Sequence, residues 1–527
     1  MSRHLGVIRD CMLFLVCLIA GYYFIVRNIV GPELNHFPGD MGDARFNAYI
    51  LEHGYRFFTG DVSSYWDAPF MVPEPEVISF SDNLLGTLPF YLLFRTLGFD
   101  VLDSFQGWFL VLTFLNFLFS FVFLKWLFKN AYAAGIGAFI FTFSIALQSQ
   151  LTHAQTFARF IIPVIFWLIL LFSNHKKLKY FFFANLAFVY LLYCGIYLGF
   201  LFFFPFLVMV SIILFRNKGS FWKEIIKENG LVKVLLSGII PILLLVPLIL
   251  PYISRAANVP MPSFQSTVKT IPVFKSYLYA HHGNPLWDFL TEVGTSLPAF
   301  WDHQLFPGLF VFVGVLSMIF SKKIWLKKED EEGSNSIKNI RLLLIVFLIT
   351  FLCFIRVNDF SIYSLIRLLP GFGSMRSITR IVNIEMIFFA IGVAYLFKVS
   401  SKRVNPLILF IPFFSLLVLD NYVDRNFTYH QPKDLAQERV NKLVLKMDDI
   451  PNGSLISYEP IFVNENPIEL QLDAMLATQQ LGLKCINGYS ATSPPEFTSY
   501  WNNLDETSRV SWLQAMKYQN AQIHVIK

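Results

Sequence analysis

Long apolar stretches recur along the whole chain, and short polar segments separate them. A helix of about 20 residues crosses the ~30 Å hydrocarbon core of a bilayer, and about eleven stretches approach that length. The break between the fifth and sixth stretches is short, and a single helix there would invert the topology of everything after it. We predict transmembrane helices at residues 11–30, 104–127, 131–149, 159–173, 179–194, 197–215, 231–251, 306–320, 341–356, 380–397 and 406–421.

The composition supports this interpretation. Of the 527 residues, 55% are hydrophobic and only 15% are charged, and the mean hydropathy is +0.53. One soluble core cannot bury so much apolar surface, whereas a bilayer accepts helices that are apolar on all faces. The sequence therefore predicts an all-α polytopic membrane protein surrounded by membrane lipid. The first stretch is as long as a span and lacks a following cleavage pattern, so we expect it to remain as an anchor.

Basic residues are concentrated in alternate loops, and this bias predicts the orientation of the chain. The N-terminus is predicted to be cytoplasmic, and the outer side to carry the loops 31–103, 150–158, 252–305 and 357–379 and the tail from residue 422. The net charge of +6 thus indicates cytoplasmic anchoring, and no nucleic-acid partner is expected. The predicted cytoplasmic segments contain, among others, Arg9, Lys125, Lys129, Lys176, Lys177, Lys323, Lys398 and Lys402.

Two segments outside the predicted spans have patterns of water-soluble structure. The large first outer loop, 31–103, contains an amphipathic helix at 46–55 that ends at a glycine, and an interfacial helix at 84–97. The tail alternates helices and strands, which predicts a small extracytoplasmic α/β domain. We therefore divide the chain into a transmembrane domain, 1–421, and a C-terminal domain, 422–527. The predicted tail elements are helix 434–447, strand 454–458, helix 467–481, strand 484–487, helix 505–517 and strand 521–526.

The segment Pro38–Phe46 places two carboxylates, Asp40 and Asp43, three residues apart at the mouth of the first span. Carboxylates are costly in hydrocarbon and easily placed in water, so a pair held at the interface indicates a working site. These aspartates are the candidate catalytic residues. The alternative for each is that it caps the following helix.

Other polar residues of the outer loops are candidates for substrate binding. Glu52 and His53 lie two to three helical turns beyond Asp43, although His53 is out of phase with it and is also explained as a structural histidine. Asp82 precedes an apolar helix and is equally explained as its N-cap. His153 and Arg159 belong to an unusually polar link between two spans.

Arg376 and Arg380 lie four residues apart at the outer start of a predicted span, where one helical face would carry both. Guanidinium groups grip phosphate oxygens in pairs, and a helix N-terminus adds positive potential. The alternative is a pair of arginines that extend to the interface without a ligand. In the tail, Tyr489 follows a strand end, and a purely structural turn explains it as well.

Several kinds of site are disfavoured by the sequence. No P-loop, dinucleotide fingerprint, zinc motif or Ser–His–Asp arrangement is evident, which argues against a nucleotide-sugar donor. The five cysteines fall mostly in or beside spans and do not suggest a disulfide framework. We assign no metal ligands, although the acidic, oxygen-rich first outer loop suits a divalent cation such as magnesium or manganese.

Four segments carry a resemblance to a known family: GDMGDARFNAYILEHGYRFFTG, SDNLLGTLPFYLLFR, LPGFGSMRSITR and DAMLATQQLGLKCINGYSATSPPEF. Together with the order of spans, acidic loop and C-terminal domain, they resemble the C-type (GT-C) membrane glycosyltransferases of bacteria. The resemblance implies an inverting transfer of a sugar from a polyprenyl-phosphate donor to a glycan or lipid acceptor, at the outer face of the cytoplasmic membrane. It also implies that Asp43, followed by Arg45, is the base, with Asp40 as the reserve, and that Tyr489 packs over the cavity.

Three other functions stay open. An O-antigen-type polysaccharide polymerase would share the lipid-linked substrate, with outer arginines and histidines carrying the chemistry. A lipid or polysaccharide transporter would also be polytopic, but it usually has internal repeats and charges near the midplane, whereas these charges collect at the membrane surfaces. A non-catalytic membrane scaffold would keep the same fold.

Overall fold

The computed structural model describes residues 2–215, 219–326, 334–461, 465–518 and 522–527. Within these ranges ten helices are long and apolar enough to cross a bilayer, and a shorter apolar helix, Leu178–Cys194, is the eleventh. The predicted class of all-α multi-pass membrane protein is confirmed. The ten helical segments are Gly6–Val30, Val101–Phe128, Ala131–Gln148, Ala154–His175, Ile196–Phe215, Leu231–Ala257, Leu309–Leu326, Asn335–Phe354, Ile378–Ser400 and Pro406–Phe427.

The doubtful break in the middle of the chain separates two helices, as predicted. Gly195 is extended between Leu178–Cys194 and Ile196–Phe215. Phe188 and Phe206 stack with ring centroids 5.1 Å apart, so the two helices fold back on each other. A Cβ atom at Gly195 would lie 2.8 Å from the carbonyl oxygen of Gln155, and only glycine allows this close approach.

The bundle has two distinct faces. At one of them, the basic face, Lys398 Nζ donates to the Phe128 carbonyl at 2.8 Å and Lys125 pairs with Asp10 at 2.7 Å. Arg380 lies near the opposite end of the helix that carries Lys398, about 27 Å away at 1.5 Å per residue. We call the face with Arg380 the site face. The separation agrees with the alternation of basic loops along the sequence.

The first loop lies on the site face and folds into helices Asp43–Thr59 and Leu88–Thr96 with a 3₁₀ turn at Val77–Phe80. The prediction that the first of these ends at Gly54 is wrong. Leu88 packs against Gly54 so closely that a Cβ there would lie 2.7 Å from its Cδ2 atom. The helix continues to Gly60, whose φ of +86° forms the left-handed cap.

The tail has the predicted alternation of helices and strands. Three of its strands form a parallel sheet with Leu455–Tyr458 in the centre, Lys484–Cys485 on one side and Ile523–Ile526 on the other. The small C-terminal α/β unit is thus confirmed as a fold. Its helices are Lys433–Met447, Pro467–Leu481, Thr498–Asn503 and Glu506–Ala515.

The tail packs directly on the first loop. His36–Pro38 pairs antiparallel with His430–Pro432. At the edge of the parallel sheet, Val72 N donates to the Cys485 carbonyl at 3.1 Å, and Cys485 N donates to the Pro69 carbonyl at 3.0 Å. One continuous buried core includes residues of both segments. The loop and the tail therefore fix each other's position on the site face.

Short elements complete the connections between the spans. The helix Ser220–Asn229 lies between two spans, and the short helix Lys322–Leu326 forms the end of the segment Leu309–Leu326. A two-stranded hairpin joins Arg356–Val357 to Phe360–Ser361. Other short elements include the helices Phe264–Val268 and Tyr363–Ile366 and the 3₁₀ turns Ala154–Thr156, Phe274–Leu278, Asp288–Leu290, Phe300–His303, Phe372–Ser374, Ile378–Ile381, Arg425–Phe427 and Pro495–Phe497.

Candidate active site

Asp43 stands where three distant parts of the chain meet. It begins the loop helix Asp43–Thr59, and its Oδ1 accepts a hydrogen bond from the Tyr489 hydroxyl of the tail. Its Oδ2 lies 3.3 Å from Nδ1 of His153, in the link between two spans. The structure thus brings together three residues that the sequence singled out separately.

The surroundings of Asp43 favour its ionised form. Burial alone would raise its pKa, but hydrogen bonds from His153 and Tyr489 and the charge of Arg380 bring the pKa below its ordinary value. Burial raises the pKa of Tyr489, as does the negative charge of Asp43, so its hydroxyl keeps its proton and remains a donor. Asp43 is therefore a carboxylate near neutral pH.

Asp40 has a different environment. Its Oδ1 accepts hydrogen bonds from Gly42 N at 3.2 Å and Ala44 N at 3.1 Å, at the start of the loop helix. Burial and the neighbouring charge of Asp43 raise its pKa to about 6. The sequence allowed either aspartate to cap the loop helix, and the contacts of Asp40 are those of a capping residue.

His153 and Arg380 form the second layer of the site. Arg380 Nη2 lies 3.2 Å from His153 Nδ1, and the guanidinium lies over the ring of Tyr197, 4.9 Å from its centroid. The Nε2 atom of His153 lies 4.0 Å from a carboxylate oxygen of Asp302. Burial and the charge of Arg380 lower the pKa of His153. His153 is therefore a neutral imidazole, and its single N–H group donates to the carboxylate of Asp43.

Three arginines lie beside the site. Arg376 is exposed, and Arg255 donates from Nη1 to Thr492 Oγ1 at 3.0 Å. The positive charges of Arg255 and Arg376 act on each other. In the part of the chain that the structure describes, neither these two nor Arg380 forms an ion pair with a carboxylate. We call Arg255, Arg376 and Arg380 the arginine cluster.

The prediction that Arg376 and Arg380 share one helical face is wrong. The backbone at Ser377 is extended, with φ −113° and ψ 98°, and the 3₁₀ turn Ile378–Ile381 begins after it. The Tyr197 hydroxyl donates to the Ser377 carbonyl at 2.6 Å and thereby holds the extended segment. Only Arg380 belongs to the helical segment.

Arg45 and Arg159 hold the framework of the site. Arg45 is 1% exposed and pairs with Asp473 of the tail at 2.5 Å. Arg159 Nη1 donates to Thr156 O and to Asn383 Oδ1, each at 3.2 Å, and so ties the link that carries His153 to the helix that carries Arg380. Removing one partner of a buried ion pair typically costs about 3–5 kcal/mol, so Arg45 matters for the geometry.

His53 and Asp82 also have internal partners. The Nε2 atom of His53 lies 2.9 Å from the Tyr65 carbonyl, and burial lowers its pKa to about 4. Asp82 Oδ1 accepts from the backbone N–H of Tyr197 at 3.0 Å, and burial raises its pKa to about 6. Asp82 thus caps Ile196–Phe215 instead of the predicted helix at 84–97, and positions the Tyr197 ring under Arg380.

Three residues of the site were not predicted: Tyr197, Arg255 and Asp302. Tyr197 follows the helix break at Gly195, which marks a special backbone position. Asp302 is an acid among the aromatics of the turn Phe300–His303. Arg255 lies near the end of an otherwise apolar span. It is the easiest of the three to detect from the sequence, because a charged residue in a span is costly and usually functional.

A cleft of about 490 Å³ opens beside the aspartates. The tail contributes Arg439, Glu469 and Asn466 to its walls, and the loop contributes Asp40 and Asp43. Asp43 therefore borders this cleft and, through His153, adjoins the arginine cluster. The arrangement gives a carboxylate access to one molecule in the cleft and to an anion beside the arginines.

Metal binding finds little support in these contacts. Within the described ranges, no group of three or more His, Cys, Asp and Glu side chains is arranged to hold a metal ion. Oδ1 of Asp40 and both carboxylate oxygens of Asp43 already have hydrogen-bond partners. A divalent cation stays a prediction from the sequence, and we derive no step through one.

No protein-family model matches the chain, and no curated protein sequence matches it. Among solved structures it is similar to the oligosaccharyltransferase of Archaeoglobus fulgidus in its apo form. That match has 11% identity and a TM-score of 0.52, and it covers 96% of this chain and 68% of the other. The chain shares the overall fold of that structure. The predicted fold class is thereby confirmed.

A more distant similarity is to ArnT from Cupriavidus metallidurans bound to undecaprenyl phosphate. The identity is 11%, the TM-score is 0.39, and the match covers 90% of this chain and 89% of the other. A likeness at this identity concerns architecture only. The chemistry of this chain has to be argued from its own residues.

Proposed function

We propose that this protein is a membrane glycosyltransferase that moves a sugar from a polyprenyl-phosphate donor to a glycan or lipid acceptor. The observation that carries the proposal is the position of Asp43. This ionised carboxylate borders an open cleft and adjoins three arginines that have no carboxylate partner within the described ranges. Sugar transfer from a lipid phosphate needs both a proton acceptor and a cationic site for the leaving phosphate.

The reaction follows from these two parts of the site. An acceptor hydroxyl in the cleft attacks the anomeric carbon, and Asp43 takes the hydroxyl proton as the new C–O bond forms. The bond between the anomeric carbon and the phosphate oxygen breaks, and its electron pair stays on the phosphate. A single displacement of this kind inverts the anomeric configuration. Tyr489 and His153 hold the carboxylate in place and keep it ionised until the proton arrives.

The arginine cluster suits the leaving phosphate. Its charges lie at the membrane end of the site, where the head group of a lipid carrier would sit while its chain stays in the bilayer. Guanidinium groups donate paired hydrogen bonds to phosphate oxygens and stay charged at any accessible pH. Arg255 is thus a third member of a phosphate site for which the sequence suggested Arg376 and Arg380.

We place the site on the outer side of a bacterial cytoplasmic membrane, with the N-terminus in the cytoplasm. The support is the basic face at the opposite end of the bundle. Cysteines introduced at Asp61, Gln265 and Asp505 are expected to react with an impermeant maleimide in intact cells. A cysteine at Lys177 is expected to react only after the membrane is opened, and the unmodified chain gives the background. Labelling of the Asp505 position only in opened cells would contradict this orientation.

The pH dependence of transfer distinguishes the two aspartates. Asp43 has a lowered pKa and stays ionised as pH falls, whereas Asp40, with a pKa raised to about 6, gains a proton. With Asp43 as the base, we expect kcat/KM to stay level from about pH 8 down to about pH 5. A fall with its midpoint near the pKa of Asp40 that disappears in Asp40→Asn would assign the base to Asp40 instead. Circular dichroism at each pH checks that the protein stays folded.

A further inference from the structure

A second polar cavity of about 490 Å³ lies between the first loop and the tail, apart from the site of Asp43. Arg45, Glu52 and Arg56 of the loop helix line it. These positions are 7 and 4 residues apart, which places them on one helical face, and Asp43 is about 160° away from that face. The cavity therefore does not belong to the proposed catalytic site.

Charged groups of both signs line this cavity. The guanidinium of Arg95 pairs with the Glu52 carboxylate through an Nε–Oε2 distance of 2.8 Å, and Glu52 also accepts from the Tyr91 hydroxyl at 2.8 Å. Asp100 accepts from Gln437 Nε2 at 2.9 Å. The walls thus present hydrogen-bond donors and acceptors side by side.

Carboxamide side chains make up much of the remaining wall. An amide group donates through its nitrogen and accepts through its oxygen, so it matches a hydroxyl group in either role. Four such amides come from two tail helices: Gln437, Asn441, Gln479 and Gln480. Three of them are exposed at the rim, whereas Gln479 is buried and donates to the Tyr49 carbonyl at 3.1 Å.

One wall group lacks a partner. Arg45 is 1% exposed, and its Nη1 atom is buried without a hydrogen bond among the described residues, although its Nη2 pairs with Asp473. A buried donor left unsatisfied costs about 1–3 kcal/mol, and more when it is charged. Since this atom is closed to solvent, a small shift of the guanidinium toward the cavity would let a ligand oxygen remove that cost.

We propose that this cavity binds a neutral glycan. Each sugar hydroxyl donates one hydrogen bond and accepts others, and the mixed wall supplies both kinds of partner. An anion is disfavoured because the three arginines of the lining already pair with carboxylates, Arg45 with Asp473 and both Arg56 and Arg95 with Glu52. A lipid tail is disfavoured because it would leave the charged and amide groups of the wall without partners. The volume lies in the range of pockets that hold small organic ligands, which suits a short segment of a glycan.

The cavity is linked to the catalytic cleft through one carboxylate. Asp473 pairs with Arg45, which lines the cavity, and with Arg439, which lines the cleft, the latter at 2.7 Å. A glycan acceptor with its reacting end in the cleft could place a remote sugar here. This connection rests on the proposed function, whereas sugar binding to the cavity does not.

Saturation-transfer NMR on the full-length protein in detergent tests the binding. The neutral probes are glucose, galactose, mannose, N-acetylglucosamine, maltose, lactose and chitobiose, and the anionic probes are glucuronate and inorganic phosphate. We expect at least one neutral sugar to bind, and the double change Gln437→Ala with Asn441→Ala to weaken it about tenfold through lost hydrogen bonds. Glu438→Gln, on the same helix and away from the cavity, is the matched control.

Asp43→Asn is expected to keep sugar binding intact, which separates this site from catalysis. In a transfer assay, the double amide change should raise the half-saturating concentration of a glycan acceptor and leave that of the donor unchanged. If acceptor use is unchanged although sugar binding is lost, the cavity binds some other glycan. That result would contradict its role in transfer but not the sugar binding itself. Failure of every neutral probe, binding of the anionic probes alone, or unweakened binding in a folded double variant would overturn the proposal.

Discussion

Asp43→Asn is expected to lower kcat for glycan transfer by a factor of about 10²–10⁴, the usual contribution of a general base. The amide has the shape of the carboxylate, but it cannot take the proton of the acceptor hydroxyl. Tyr489 still has an oxygen to donate to, so the fold should persist. Transfer is measured with purified protein and a polyprenyl-phosphate sugar, and the melting temperature is measured on the same preparation.

Asp40→Ala is also expected to reduce transfer severely, because alanine removes the acceptor that shapes the backbone carrying Asp43. The loss of this capping acceptor should lower the free energy of unfolding by about 1 kcal/mol, which Asp43→Asn should not do. Asp61→Asn, in the same loop but exposed, serves as the control and should be neutral. Full activity in both single variants and in the double variant would retire the assignment of a base to this pair.

The tail elements could be predicted closely because their signals are local. Helix Pro467–Leu481 begins at Asn466, whose side chain accepts from Ile468 N, and ends at Gly482 with a φ of +69°. Both signals are visible in the sequence as an N-cap followed by proline and a C-terminal glycine. Hydrophobic span length served equally well for the membrane helices.

Prediction failed where tertiary contacts decide the local structure. Gly54 looked like a helix end, yet Leu88, distant in sequence, packs against it and the helix continues. Asp82 looked like the cap of the next helix, yet it caps Ile196–Phe215 more than 100 residues later. In both cases the residue type indicated a special position, but its partner could not be predicted because that partner comes from a distant segment of the chain.

The candidate site shows the same division. Asp43, His153 and Arg380 were predictable one by one, because polar residues beside membrane spans require an explanation. Their mutual arrangement was not predictable, since it depends on how the loop, the link and the span pack. Tyr197 became visible only through its ring contact with Arg380. Arg159 was selected by the same rule and Arg45 through the family resemblance, and the structure gives both of them internal partners.

A consequence of this packing is that the site depends on the tail. Tyr489 donates to Asp43, stacks on Trp501 with centroids 5.4 Å apart, and meets the edge of Phe46. The tyrosine is thus held by aromatic contacts on both the loop and the tail. The position of the Asp43 carboxylate therefore depends on the docked tail, which couples tail packing to the chemistry.

Replacing Arg376 or Arg380 by lysine is expected to raise the half-saturating concentration of the polyprenyl-phosphate donor about tenfold or more. Lysine keeps the charge but loses the paired N–H groups, and each hydrogen bond to a charged group contributes about 1.5–3 kcal/mol. Acceptor use should change less than donor use, and alanine at either position should be worse than lysine. Donor and acceptor titrations on each purified variant measure the difference.

Arg425→Lys is the matched control for these changes, because Arg425 lies on the site face outside the arginine cluster and contacts His36 instead, with Nη2 3.1 Å from His36 Nδ1. Arg255→Lys should raise the donor requirement as the cluster variants do, since Arg255 and Arg376 repel each other until an anion lies between them. If the arginines only extend to the membrane interface, lysine serves as well as arginine there. Unchanged donor half-saturation in both the lysine and the alanine variants would therefore remove the phosphate site from the mechanism and leave the role of Asp43 to be judged on its own variants.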